Sequence, residues 1–215
     1  QCTTDKHADF TIPTGDDWQA ICPDKKFASM SMGQVTCSDA PTSRDALPAW
    51  SERKNMVIWR GSGTGCGNTT ETNPRMHLHS LNLPNLDAKI VRFTKRIKGE
   101  FREEDDKLHL EYIDRKDEPG GSIPMAEQTT NKFIMNVEGN AAAYRFGGLF
   151  GLGFCILNVQ SVYTMWFEQF LTMGSVDDAN IANCHCITVK HDLSDLGATI
   201  QWCLENDAIC EQISK

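Results

Sequence analysis

No stretch of this sequence approaches the roughly 20 apolar residues that a helix needs to cross a bilayer. Basic charge is also short: across 215 residues, 21 Lys and Arg stand against 29 Asp and Glu, a formal charge of −8. The first absence excludes a transmembrane helix. The second argues against a surface that neutralises nucleic-acid phosphates, whose footprint is a basic patch, while leaving room for a local positive pocket. Two phosphate-binding signatures are missing as well. No Gly-Lys-Ser/Thr ending of a Walker loop occurs, and no Gly-x-Gly-x-x-Gly fingerprint, so a dinucleotide-dependent oxidoreductase is disfavoured. No basic-then-apolar leader follows Gln1, and the chain is expected to be a processed form or a piece of a longer one.

What is present is ordinary for a globular protein: 40% hydrophobic and 23% charged residues, in a chain long enough for one large or two small domains. Nine cysteines, an odd number, leave at least one thiol unpaired within the chain. Cys155 lies in an apolar run, and Cys203 and Cys210 fall on expected helices, so these three are read as small buried residues. Reduced thiols are the expectation, although the sequon Asn68-Thr69-Thr70 points the other way.

Residues 1–54 hold Pro13, Pro23, Pro41 and Pro48 among many Asp, Ser and Thr, and are expected to be mostly loops. Met56 to Trp59 is a compact apolar strand candidate. Pro74 suits the first turn of a helix, and Asp87 to Phe93 alternates like a strand. Residues 98–131 read as a charged, solvent-facing excursion with one short helix. Phe133 to Val137 is a strand candidate, Ala141 to Leu152 has helical spacing, and Phe154 to Leu157 reads as a buried strand. Tyr163 to Leu171 is expected to be helical, with Trp166 and Phe167 in the core. Cys186 to Val189 is a further strand, followed by a helix capped by Asp192 or Ser194 and running to about Glu205. Strands alternating with helices imply an α/β fold, a parallel sheet with helices on both faces. Such sheets bind ligands in the crevice beyond the carboxyl ends of their strands. Residues 55–215 are taken as that domain.

Two segments sit where the rule places ligands. In Arg60-Gly61-Ser62-Gly63-Thr64-Gly65, glycines allow close backbone approach. Ser62 and Thr64 offer hydroxyls, and Arg60 offers a planar charged fork. Arg75, near the start of the next helix, is placed to reach the same pocket. In Glu138-Gly139-Asn140-Ala141-Ala142-Ala143-Tyr144-Arg145, a strand ends at an acid and a glycine, and small residues open the expected helix. Its first-turn N–H groups would favour an anion, Arg145 would pair with a phosphate oxygen, and Glu138 would accept from a ribose or sugar hydroxyl. Alternatives remain at this stage: a merely structural glycine turn, and tight helix–sheet packing by the alanines. The pairs Asp16-Asp17 and Asp177-Asp178 lack Asp-x-Asp spacing, and Cys184-His185-Cys186 with His191 lacks the Cys-x-x-Cys spacing of structural zinc. No metal is therefore expected. His185 is expected to pack at a strand start or line a pocket. Trp18 and Trp50 read equally as core plugs or as sugar-stacking platforms.

Trp59 to Gly65, Asn73-Pro74-Arg75, Lys132 to Phe146 and His185 to Leu196 together resemble the CAP10 family, glycosyltransferase family 90. Short viral homologues belong to it beside protein O-glucosyltransferases and capsule xylosyltransferases. Thr4 to Pro13 resembles, more weakly, a family stretch on the acceptor side. The resemblance implies a GT-B-like fold of Rossmann-type halves, here with a short or incomplete N-terminal half. It implies a UDP-sugar donor such as UDP-xylose or UDP-glucose, a glycan or protein hydroxyl as acceptor, and no required metal or other cofactor. It puts Arg60 to Gly65 and Asn140 to Arg145 against the donor, with Arg145 facing the diphosphate. The location it implies is the secretory-pathway lumen, or the host cytoplasm for a viral member. The family's Asn-x-Arg-Asp-like segment, which carries its catalytic aspartate, has no counterpart here. Asp9 is the first candidate for the base and Asp17 the second. The competing reading is a non-catalytic nucleotide-sugar- or glycan-binding module of the same fold.

Overall fold

The computed structural model describes residues 2–4, 44–94, 99–104, 107–112 and 119–215. Asp9, Asp16, Asp17 and Trp18 lie outside them.

Six strands form one parallel sheet: β2 (Lys54–Gly63), β3 (Leu86–Phe93), β6 (Asn131–Asn136), β7 (Cys155–Val159), β9 (Met173–Gly174) and β10 (Cys186–Val189). Their order across the sheet is β3-β2-β6-β7-β10-β9. Among the described residues, four short strands lie outside it. β1 (Cys2–Thr4) pairs antiparallel with β8 (Tyr163–Met165), and β4 (Gly99–Glu104) with β5 (Lys107–Tyr112). The helices are α1 (Pro74–Ser80), α2 (Met125–Gln128), α3 (Phe146–Leu149), α4 (Leu196–Glu205) and α5 (Asp207–Ile213).

The central strands β6 and β7 are buried along their whole length, as continuous apolar runs of a sheet covered on both faces should be. Alternate residues feed two cores. Val57, Trp59, Met135, Leu157 and Ile187 meet α1, α4 and α5 on one face. Ile58, Ile134, Ile156 and Cys186 meet Met125, Phe146, Leu149 and Met165 on the other. Lys132, 6% exposed, extends from β6 to a salt bridge with Asp207 (2.6 Å) at the start of α5. Trp50 donates to the same carboxylate (3.2 Å) and stacks edge-on against Phe133, so it is a core plug rather than a sugar platform. Arg53 closes the other end, donating to the carbonyls of Pro48, Leu152 and Gly153.

The chain runs from β2 outward to β3, then crosses back to β6 on the other side of β2. The β2–β6 boundary is thus the topological switch point, where an open α/β sheet leaves a crevice at its carboxyl edge.

Several elements differ from the sequence reading. The expected helix over 141–152 is reduced to α3 and a 3-10 turn, Phe150–Leu152. Gly147, Gly148, Gly151 and Gly153 explain this, since each glycine costs a helix about 1 kcal/mol. Tyr163 to Leu171 is not helical: it forms β8 and a 3-10 turn, Glu168–Phe170. Val162, Tyr163 and Thr164 are β-branched or aromatic and favour extended backbone. Trp166 and Phe167 are half-buried in an aromatic cluster with Phe146, Phe150 and Phe170. Within 98–131 the β4–β5 pair appears beside the expected short helix. The period-two alternation of Lys107 to Tyr112 carries that signal. Helix α4 starts after Asp195, and Asp192 instead accepts from the Ser194 N–H in the preceding turn.

Candidate functional site

Strand β2 does not stop at Trp59. Gly61, Ser62 and Gly63 stay paired with β3 through a register shift between Gly61 and Ser62. The loop proper begins at Thr64. Pairing of β2 with β6 ends at Ile58–Ile134, so the two strands part beyond it. Two arginines bridge the gap.

Arg75, in the first turn of α1, is the main strut. Its Nε donates to the Glu138 carbonyl (2.6 Å) and its Nη2 to the Val137 carbonyl (2.8 Å), both at the end of β6. Its Nη1 donates to the Ser62 carbonyl (2.9 Å) and the Thr64 hydroxyl (2.8 Å) at the end of β2. The guanidinium also lies over the Trp59 ring, 5.6 Å from its centroid. Every one of these partners is uncharged. Burial and the neighbouring Arg145 charge push the Arg75 guanidinium down to about 9, with Glu138 pulling the other way. It remains a cation at neutral pH, held at a desolvation cost. Arg145 enters from the opposite side and donates Nη1 to the Arg60 carbonyl (2.6 Å).

Asn73 sets the loop around this pair. Its side-chain oxygen caps α1 by accepting from the Arg75 and Met76 N–H groups, and its Nδ2 donates to the carbonyls of Thr64 and Gly67. At 1% exposure it is a buried hub with both ends of its amide in use. Gly65 and Gly67 adopt positive φ, 115° and 81°, where a side chain is strained. Gly65 donates its N–H to Asn140 Oδ1 (3.0 Å), so the two sequence-predicted segments touch. Gly139 packs under them: a Cβ there would come within 2.8 Å of Thr64 Oγ1 and 3.1 Å of Arg75 Nη2.

The structure thus brings together Ser62, Thr64, Gly65, Arg75, Glu138, Gly139, Asn140 and Arg145. Arg60 is occupied elsewhere. It forms a salt bridge with Asp87 (2.7 Å) and donates to the carbonyls of Trp59, Asp87 and Gly121. These bonds make it a strut between β2 and β3. Ala141, Ala142 and Ala143 form an irregular turn, with Gly139 donating to the Ala141 carbonyl, and Tyr144 is exposed. The alanines therefore do not present the first-turn amides of a helix, and the helix-terminus argument for this segment fails. The positive charge of the crevice comes from Arg75 and Arg145.

A cavity of about 170 Å³ opens beside the arginines, beyond the carboxyl ends of β6, β7 and β10. Asn136, Asn158, Glu138 and Glu168 line it, with Ala142 and Ala143 on its rim. Ser161 donates to the Glu138 carboxylate through a short hydrogen bond. Burial raises the Glu168 carboxyl above the ordinary range, partly offset by the Met165 N–H it accepts (2.8 Å). Sequence reasoning missed Asn136, Asn158 and Glu168. The available signal was a polar residue closing the inward face of two parallel strands, at their carboxyl ends.

The remaining candidates are structural. His185 is exposed at the start of β10, where its Nδ1 accepts from the Thr172 N–H. Asp178 accepts from the Ser175 N–H in a turn. Among the described residues no group of three or more His, Cys, Asp or Glu side chains is placed to hold a metal ion. Six described cysteines are free, five of them (Cys155, Cys184, Cys186, Cys203, Cys210) in the core.

The sequence is similar to those of known proteins. The chain is 29% identical over its whole length to uncharacterized protein 179R of Invertebrate iridescent virus 6, and 30% identical to uncharacterized protein 035R of Invertebrate iridescent virus 3. It covers only 20% and 18% of those proteins. It is also 23% identical, over 99% of its length, to protein O-glucosyltransferase 2 of Danio rerio, covering 36% of that protein. The family description "Glycosyl transferase family 90" matches residues 1–215, and with its Rossmann-like parallel sheet the chain belongs to that family.

Proposed function

We propose that this chain holds the donor site of a glycosyltransferase that moves a neutral sugar, glucose or xylose, from UDP to a hydroxyl of a glycan or protein. The single observation that carries the reading is the Arg75–Arg145 pair in the switch-point crevice, two cations close enough that the Arg145 charge lowers the Arg75 pKa. The leaving group of such a reaction is a diphosphate. The acceptor oxygen attacks the anomeric carbon, the bond from that carbon to the diphosphate oxygen breaks, and its electron pair leaves with UDP. The proton of the acceptor hydroxyl passes to a base, for which Asp9 is the first candidate. Fixed charges aimed at the departing phosphate lower the barrier without reorganisation, commonly the largest catalytic contribution. Arg145, which donates to the Arg60 carbonyl, is assigned the diphosphate contact, and Thr64 and the Gly65–Asn140 link hold the loop that frames it. Glu138 is left to accept from a hydroxyl of the ribose or sugar.

UDP release from UDP-glucose and UDP-xylose tests the reaction, with and without a glycan acceptor. Calorimetry with UDP tests the site, and Arg145→Ala should weaken binding at least tenfold, the loss of one charge-assisted bond. Unchanged affinity in that variant would remove the assignment. Binding without release in every assay would instead support a nucleotide-sugar-binding module.

A further inference from the structure

The cavity beside the arginines has a wall that the nucleotide does not explain. On the face of the sheet where Ile134 pairs with Ile156, the next residues along are Asn136 and Asn158, also paired, and Thr188 stands opposite Asn158 on β10. An apolar row gives way to a polar row across three adjacent central strands, at their carboxyl ends. Asn136 and Asn158 are 6% and 8% exposed. Asn136 Nδ2 donates to Asn158 Oδ1 (2.7 Å), while the buried Asn136 Oδ1 has no partner. Buried amide oxygens are nearly always bonded, and Asn136 stands in the cavity wall, so the cavity is where the missing donor belongs.

The rest of the lining fixes the chemistry of that donor. Glu138 and Glu168 both face the cavity, and each has one carboxylate oxygen engaged, by Ser161 and by the Met165 N–H. Among the described residues no Lys or Arg lines it. Two carboxylates and an amide acceptor without a cation repel anions and suit groups that donate hydrogen bonds. The volume, about 170 Å³, is below the roughly 300 Å³ of a whole drug-sized site, and matches one ring rather than a nucleotide. Phe146 and Met173 supply apolar surface to the same space.

We infer that the Asn136–Asn158–Thr188 row and the Glu138/Glu168 pair form a subsite for one neutral sugar ring, read through its hydroxyl donors and closed to uronic acids. The inference rests on the glycosyltransferase reading for its biological source but not for its test. Donor and acceptor sugars share this chemistry. The probes are free glucose, xylose and glucuronate at millimolar concentration, followed by saturation-transfer NMR, with UDP titrated separately by calorimetry. Glucose or xylose should receive saturation from the protein and glucuronate should not. Asn136→Leu should weaken the sugar about tenfold, the loss of one or two neutral hydrogen bonds, and leave UDP affinity unchanged. Thr188→Val, nearly isosteric, is the second variant should Asn136→Leu melt early, and should weaken the sugar severalfold. Displacement of glucose by UDP-glucose marks the donor's ring, and simultaneous binding marks an acceptor's. Loss of UDP binding with the sugar retained would count against the proposed donor site alone. No saturation of glucose or xylose, equal saturation of glucuronate, or sugar binding untouched in both folded variants would overturn the subsite.

Discussion

Replacing Arg75 by lysine keeps its charge and removes its shape, and the structure says which matters. The guanidinium serves four acceptors on two strands: the carbonyls of Ser62, Val137 and Glu138, and the Thr64 hydroxyl. A lysine ammonium is one point on a flexible stem and can reach one or two of them. Two or three bonds are lost, each worth about 1 kcal/mol net, and the acceptors left behind are only part-exposed to water. The expected loss is about 2–4 kcal/mol. For a chain of this size each kcal/mol moves the melting temperature by roughly 2–4 °C, so Arg75→Lys should melt about 5–15 °C lower by circular dichroism. Arg75→Met removes the charge as well. It loses all four bonds but also the cost of a buried cation, so its melting temperature should fall by a similar amount. The two variants separate on UDP: in calorimetry Arg75→Lys should bind more tightly than Arg75→Met by about tenfold, the order of one charge-assisted interaction. An Arg75→Lys protein melting within 2 °C of wild type would show that the strand ends hold without the fork, and the strut argument would be wrong.

Two other perturbations read different parts of the site. Gly139→Ala puts a methyl group 2.8 Å from Thr64 Oγ1 and 3.1 Å from Arg75 Nη2; such overpacking should cost roughly 2 kcal/mol, about 4–8 °C in melting temperature, with weaker UDP binding. A melting curve that matches wild type would mean the two loops are not in contact at that point. Glu168 has its carboxyl raised by burial, so the folded state holds the proton more tightly than the unfolded chain. Its contribution to stability is therefore lost as pH rises from the ordinary carboxylate value through the folded one. Glu168→Gln should melt higher than wild type at pH 7, with the difference shrinking toward pH 4; a pH-independent difference would place the effect outside the titration.

The strands and the crevice were legible because they depend on local pattern. The apolar runs at 56–59, 133–137 and 154–157 can only be buried strands, and polar, glycine-bearing segments at their ends mark the carboxyl edge. What was not legible depends on partners distant in sequence. Arg60 looked like a ligand-binding fork because Asp87, 27 residues on, is its partner only once β2 and β3 pair in register. Apolar spacing suggests a helix over 141–152, while the three glycines within it, the stronger physical fact, limit it to one turn. Asn136 and Asn158 each read as an unremarkable strand end. Their meaning appears only when β6 and β7 align and the two amides meet.

The crevice has a further electrostatic consequence. Arg75 is a cation satisfied entirely by neutral acceptors, and its lowered pKa expresses the cost at which the fold holds that charge. The neighbouring Arg145 raises the cost, and Glu138, whose carboxylate faces the cavity bonded to Ser161, offsets only part of it. An anion entering beside Arg75 relieves the strain on that charge, so its binding free energy includes the removal of a penalty already present in the free protein. The same anion placed in the cavity would meet the Glu138 and Glu168 carboxylates. On the proposed reading, charge would sort the two halves of a sugar diphosphate along the sheet edge: phosphates at β2–β6 against the arginines, the neutral ring at β6–β7–β10 against amides and acids. A diphosphate should consequently raise the melting temperature more at low ionic strength than at high, because screening weakens the arginine term, whereas stabilisation by a neutral sugar should not change with salt. Equal salt dependence for both ligands would break this division.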